Sequence, residues 1–144
     1  MNYLDSSAIV KRFAKEKGSE RVRRIIEDEG PIATAKIAYA EIHSGLARKK
    51  RERILAPAQY ARICRQFELD WLAYVRLELT DEVLSIAREL IRRYPLRGFD
   101  AIHVASALIL QTNLGEPITF AGADERQLQA AAREKLASLN VETG

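Results

Sequence analysis

Residues Leu96–Leu110 read LRGFDAIHVASALIL. From Phe99 onward the stretch is almost wholly apolar, long enough for a helix, and free of Gly and Pro after Gly98. A helix that is apolar around most of its circumference belongs inside a domain. Asp100, His103 and Ser106 interrupt it, and their three-residue spacing puts them on one face. An ionised carboxylate in such surroundings is costly unless a cation or several donors hold it. The stretch therefore predicts a central buried helix and a partner for Asp100.

Outward from it, short strand-like runs alternate with amphipathic helices. NYLD at 2–5 is a strand candidate ending in Asp5, and Ser6 and Ser7 are placed to cap the helix SAIVKRFAKEK. Gly18 closes that helix, and SERVRRIIEDE forms the next. After the Gly30-Pro31 break come a brief strand, PIAT, and a helix, IAYAEIHSGLARKKRER, with its basic end exposed. Pro57 suits the first turn of a helix carrying Tyr60, Ile63, Cys64, Phe67 and Trp71. VRLEL alternates as a strand, and Thr80 caps DEVLSIARELIRRY. Beyond the central helix, which Asn113 and Gly115 end, PITFA is a strand, ADERQLQAAAREK a helix and LNVE a last strand. Such alternation predicts one α/β domain over residues 1–144, a mostly parallel sheet flanked by helices on both faces.

Composition narrows the class. With 144 residues, 47% of them hydrophobic, the chain can bury a core without disulfides or structural metal. A lone Cys64 cannot form an internal disulfide, which suits a reducing cytoplasm. No leader-like opening or apolar run of about 18 residues is present, so a cytoplasmic protein without membrane contact is expected. The net charge of +3 permits an anionic partner without demanding one.

Most of the 20 acidic residues sit among Lys and Arg on polar helix faces. Asp5, Glu41, Asp100 and Asp124 do not. Asp5 and Asp124 follow strand candidates, and ligands of open parallel sheets bind beyond the strands' carboxyl ends. Glu41 and Asp100 lie in helices that can flank the same edge. Two unit charges about 5 Å apart repel by about 3 kcal/mol at an effective dielectric of ~20, so converging acids need protons or a cation. Hard oxygen ligands without a Cys or His cluster favour Mg²⁺ or Mn²⁺ over Zn²⁺. Each acid also has a plainer reading. Asp124-Glu125-Arg126-Gln127 has the pattern of a capping box, Asp100 can pair with Arg97, and Glu41 can reach Lys36 or Arg48.

Together, the four contexts resemble the PIN-domain nucleases, specifically the VapC-type toxins of toxin–antitoxin pairs. YLDSSAIVKRF resembles the opening motif, with Asp5 as the first acid; AYAEIHSGLAR resembles the second, with Glu41. GFDAIHVASAL is similar to the third, centred on Asp100, and TFAGADERQLQAA to the fourth, with Asp124. The resemblance implies an α/β/α sandwich with the acids gathered at the carboxyl edge of the sheet. It also implies a Mg²⁺- or Mn²⁺-dependent endoribonuclease acting on single-stranded or looped RNA, a VapB-type antitoxin partner, and a homodimer. One departure is Gly122, where the family often has Ser or Thr; Ser6 or Thr119 is the candidate substitute.

On this reading Asp5, Glu41, Asp100 and Asp124 are both the metal ligands and the catalytic acids, with Ser6 supporting a ligand carboxylate or a water. Arg48 and Lys49, in the run Arg48–Arg53, and Arg97 are candidate phosphate contacts. Three rivals stay open: a metal-independent ribonuclease using His43 and His103, a PIN-like binding module without catalysis, and a PIN nuclease acting on DNA or in RNA maturation.

Overall fold

The computed structural model describes residues 1–143. Its sheet orders β1 (Asn2–Leu4), β2 (Ile32–Ala35), β3 (Val75–Leu77), β4 (Thr119–Gly122) and β5 (Ala137–Asn140) as β3-β2-β1-β4-β5. Every pairing is parallel, with Asn2 in register with Ile32 on one side and Thr119 on the other. A parallel sheet must be covered on both faces, and the central strands accordingly lack a polar alternation. All four residues of β2, Ile-Ala-Thr-Ala, are buried.

Successive side chains feed opposite layers. Tyr3, Ala33, Ala35 and Phe120 join the core beneath α5 (Asp81–Arg93), α6 (Gly98–Leu114) and α7 (Glu125–Arg133). Leu4, Ile32 and Ala121 join the core beneath α1 (Ser6–Val10), α2 (Ser19–Asp28), α3 (Ala38–Arg51) and α4 (Pro57–Ala73). The α/β/α sandwich is thus in place. Tyr3 also stacks on Phe120 with ring centroids 5.4 Å apart, a contact worth about 0.5–1.5 kcal/mol beyond area burial.

The stretch over 96–110 is the central helix its composition demands. Residues 101–107 of α6 are buried without interruption, and the helix packs on α5 and β2. Ser106 is satisfied within the helix, donating to the Ile102 carbonyl at 2.8 Å. Gly115 ends α6 at φ +67°, the left-handed conformation glycine adopts without penalty.

Three local expectations are corrected. The N-cap of α1 is Asp5 rather than Ser6 or Ser7, because its carboxylate accepts from the Ala8 N–H. The predicted helix SAIVKRFAKEK stops at Val10 and tightens into a 3₁₀ turn over Lys11–Phe13. Lys11 is drawn inward there, with Nζ 2.9 Å from Glu142 and 3.4 Å from Glu16, a tertiary pull that local pattern does not carry. The last strand begins and ends two residues earlier than LNVE, at Ala137–Asn140, where it registers with β4. Among the described residues no helix is long and apolar enough to cross a membrane.

The chain leaves β1 toward β2 and β3 on one side, then crosses to β4 and β5 on the other. Strand order therefore reverses at β1, and the crevice beyond its carboxyl end is where such sheets bind ligands. Asp5 is the first residue past that end.

Candidate active site

Asp5 is only 5% exposed. Its Oδ1 accepts from the Ala8 N–H at 3.0 Å, and Ser7 Oγ lies 3.0 Å from each carboxylate oxygen. Burial pushes this carboxyl above its ordinary range, and the nearby Asp100 charge adds to the push. His103, the Ala8 N–H and Ser7 oppose it without cancelling it. Asp5 is therefore a carboxyl that seeks a proton or a cation.

Asp100 stands in the first turn of α6, where Arg97 Nε donates to its Oδ2 at 3.1 Å. Asp124 caps α7, its Oδ1 accepting from the N–H groups of Arg126 at 2.9 Å and Gln127 at 3.2 Å. Both acids line one cleft of about 460 Å³, together with Arg97 and Arg126. The expected capping box is only half formed. Gln127 does not reach back to residue 124; its Nε2 donates instead to the Asp100 carbonyl at 3.3 Å.

Glu41 is held differently. Its Oε1 accepts from Ser6 Oγ at 2.5 Å and from His103 Nε2 at 2.8 Å. A carboxylate only accepts, so the network assigns the proton to Nε2, and His103 Nδ1 is left to accept from the Tyr3 hydroxyl at 2.7 Å. Burial holds the Tyr3 phenol well above its ordinary range, which keeps that hydroxyl a donor. Partial burial pushes Glu41 up, but the His103 and Ser6 hydrogen bonds outweigh it and leave the carboxyl below its usual range. The chain Tyr3–His103–Glu41–Ser6 runs from the sheet to α3 and fixes the glutamate.

The acids thus fall into two arrangements. Asp100 and Asp124 line the cleft and Asp5 lies buried at the end of β1, close enough to Asp100 to feel its charge, while Glu41 is anchored on its own hydrogen-bond chain. Among the described residues no three Asp, Glu, His or Cys side chains close around a common ion position. The donor set still fits a hard divalent cation: it is made of carboxylate oxygens, one of them buried and raised, and the nearby imidazole is already engaged. Mg²⁺ in particular takes one or two carboxylates and keeps several waters, which suits an open site.

Other expectations separate cleanly. Thr119 begins β4 in register with Asn2, about 10 Å back along the strand from Gly122, so it does not reach the site. Ser6 does reach it, through Glu41. The two histidines are not brought together: His43 donates toward Glu68 at 2.9 Å and packs on Tyr39 and Phe67, leaving no acid–base pair with His103. Lys49 is tied to Glu16 at 3.2 Å, and Arg97 to Asp100. Tyr3, Ser7 and Gln127 were not marked by sequence. Tyr3 is hidden in a strand pattern, Ser7 reads as a cap, and Gln127 reads as the last residue of a capping box.

Fold and acids define a class: an α/β/α sandwich with an acidic cleft at the switch point of a parallel sheet. Residues 3–133 match the family model described as PIN domain. Ribonuclease VapC49 of Mycobacterium tuberculosis (strain ATCC 25618 / H37Rv) is 33% identical over 130 residues, spanning 90% of this chain and 88% of its own. Ribonuclease VapC46 of the same strain is 33% identical over 135 residues, with the same coverage. The crystal structure of FitAcB from Neisseria gonorrhoeae, 21% identical, shares the fold with a TM-score of 0.65 over 100% of both chains. The chain belongs to the PIN-domain family, alongside ribonucleases of the VapC type.

Proposed function

We propose that the protein is a Mg²⁺- or Mn²⁺-dependent endoribonuclease, the toxin of a toxin–antitoxin pair. One observation carries the reading: buried, raised Asp5 ends the central strand beside the cleft that Asp100 and Asp124 line. The names of its relatives support a nuclease, and the fold neighbour from Klebsiella pneumoniae, a toxin–antitoxin complex, supports a protein partner.

Asp5, Asp100 and Asp124 would hold the ion, and Glu41 would complete the acidic edge from its anchored position. A bound divalent ion supplies Lewis-acid charge for the scissile phosphate and lowers the pKa of a water. Arg97 and Arg126, on the walls of the same cleft, provide positive charge for the phosphate backbone. Hydrolysis by water needs no 2′-hydroxyl nucleophile, so the products carry 5′-phosphate and 3′-hydroxyl ends. Specificity for single-stranded or looped RNA would come from surface shape and unstacked bases.

Partners are supported by exposed apolar side chains. Leu69 and Leu72 on α4 are 64% and 71% exposed, and Leu84 and Ile91 on α5 also face solvent. Such faces suit a VapB-type antitoxin or a second subunit.

The test is cleavage of a looped RNA by the purified chain, with and without EDTA, and by Asp100→Asn. Both treatments should lower the rate by at least about a hundredfold, since removing a metal ligand or the metal removes the main electrostatic stabilisation. Undiminished cleavage in either arm would overturn the proposal. Products ending in cyclic phosphate would do the same.

A further inference from the structure

Gln127 is completely buried, and its Oε1 has no hydrogen-bond partner. A buried amide oxygen without a donor is costly, and native structures rarely leave one. Its surroundings are specific. The position a Cβ would take on Gly122 lies 3.6 Å from Gln127 Oε1 and 3.5 Å from Asp5 Oδ1. Two acceptor oxygens, one from an amide and one from a carboxylate, therefore flank the same small space above a residue with no side chain. The other end of the amide is spent: Nε2 donates to the carbonyl of Asp100. Reversing the amide would set Oε1 against that carbonyl, so the orientation is fixed by its neighbour. The orphan oxygen faces the space beside Asp5.

Capping alone does not account for this. In a capping box the glutamine side chain would bond the backbone N–H of residue 124, and here it has left that position to reach inward. A water lying between two acceptors must donate both hydrogens to them, which leaves its own oxygen available to a cation.

We propose that Gln127 is a positioning residue of the metal site, its Oε1 accepting from a water in the hydration shell of a divalent ion held at Asp5. The inference rests on the metal-dependent reading above and adds to it a residue that is neither acidic nor on the sheet edge. Partners of this kind, one step removed from the ligands, typically change metal affinity 10–100-fold when replaced.

The experiment is calorimetric titration of Mn²⁺ into the full chain, wild type, Gln127→Met and Asp100→Asn, with the metal-free melting temperature of each. Methionine keeps the length and shape of glutamine while removing both polar ends. The Asp100 carbonyl stays within its helix, so metal-free Gln127→Met should melt no lower than wild type, because an unsatisfied oxygen has been taken out of the interior. Its Mn²⁺ dissociation constant should rise by about tenfold or more. A dissociation constant within twofold of wild type, with or without a lowered melting temperature, would overturn the inference and mark Gln127 as structural only. Loss of Mn²⁺ binding in Asp100→Asn beside unchanged binding in Gln127→Met would sink this inference and leave the metal-dependent reading standing. Wild type that does not bind Mn²⁺ removes both. Should Gln127→Met fail to fold, Gln127→Asn, which keeps an amide but shortens its reach, takes the same measurement with the same criteria.

Discussion

Asp5 and Glu41 are two carboxyls near one sheet edge, and they are displaced in opposite directions. Asp5 is nearly sealed, and loss of hydration outweighs its donors. Glu41 is half open and takes two short hydrogen bonds, which outweigh its partial burial. Both carboxyls take hydrogen bonds from two groups, so it is the depth of burial that separates them. The Glu41 anchor depends on Tyr3, whose hydroxyl is fully buried against His103. Tyr3→Phe should therefore lower stability by about 1–3 kcal/mol, since it leaves a buried ring nitrogen unpaired. Urea unfolding with an unchanged slope and a lowered midpoint would be the expected result. An unmoved midpoint would show that the hydroxyl contributes nothing. At this scale the acids were legible because charge in an apolar context is conspicuous. Tyr3 and Gln127 were not, because an apolar strand residue and a helix-start amide each have an ordinary explanation nearby.

Among the elements, the turn between α1 and α2 departs most from local expectation. Gly18 does not end the first helix; it caps the second at φ +90°. A Cβ there would lie 2.9 Å from the carbonyl oxygen of Val141, so both the dihedral and the space call for glycine. Gly18→Ala should destabilise by about 1–3 kcal/mol, read as a lowered melting temperature. A wild-type melting temperature would mean that the backbone relaxes freely there. The α3–α4 pair shows the opposite case, in which local pattern sufficed. Pro57 opens α4 as its fixed φ favours, and Phe67 and Trp71 meet Tyr39 across the helices with centroids 5.8 Å and 5.2 Å away. Boundaries failed where a distant partner intervened, as at Lys11, and held where the determinants lie within a turn of the chain.

For the molecule as a whole, topology decides what the charges can do. The run Arg48–Arg51 ends α3, while Glu41 lies in its first turn at the sheet's carboxyl edge, so Arg48 stands about 10 Å along the axis from Glu41. An RNA strand of a few nucleotides would span that distance. In an Asp100→Asn background, Arg48→Gln with Lys49→Gln should make the fall of log affinity with log salt shallower by about 0.7 for each phosphate no longer neutralised. An unchanged slope would assign the run to solvation of the helix end, a role the Lys49–Glu16 pair already favours for Lys49.

The sequence by itself determined the architecture and singled out Asp5, Glu41, Asp100 and Asp124 as candidate acids. Hydrophobic periodicity sets helix or strand, alternation of the two sets a parallel sheet, and the carboxyl end of the central strand is a position in the chain before it is a position in space. The tertiary structure alone decided which side chains serve those acids. Folding carried Asp5, at the end of β1, next to Asp100 and the buried amide of Gln127, and carried Glu41 instead to His103 and Ser6. Those pairings join residues far apart in sequence, and no local pattern encodes the desolvation and donor geometry that distinguish one carboxylate from another. The helix over 96–110 and the Arg97–Asp100 pair were foreseeable from local sequence; the approach of Asp5 and of the Gln127 amide to Asp100 was not.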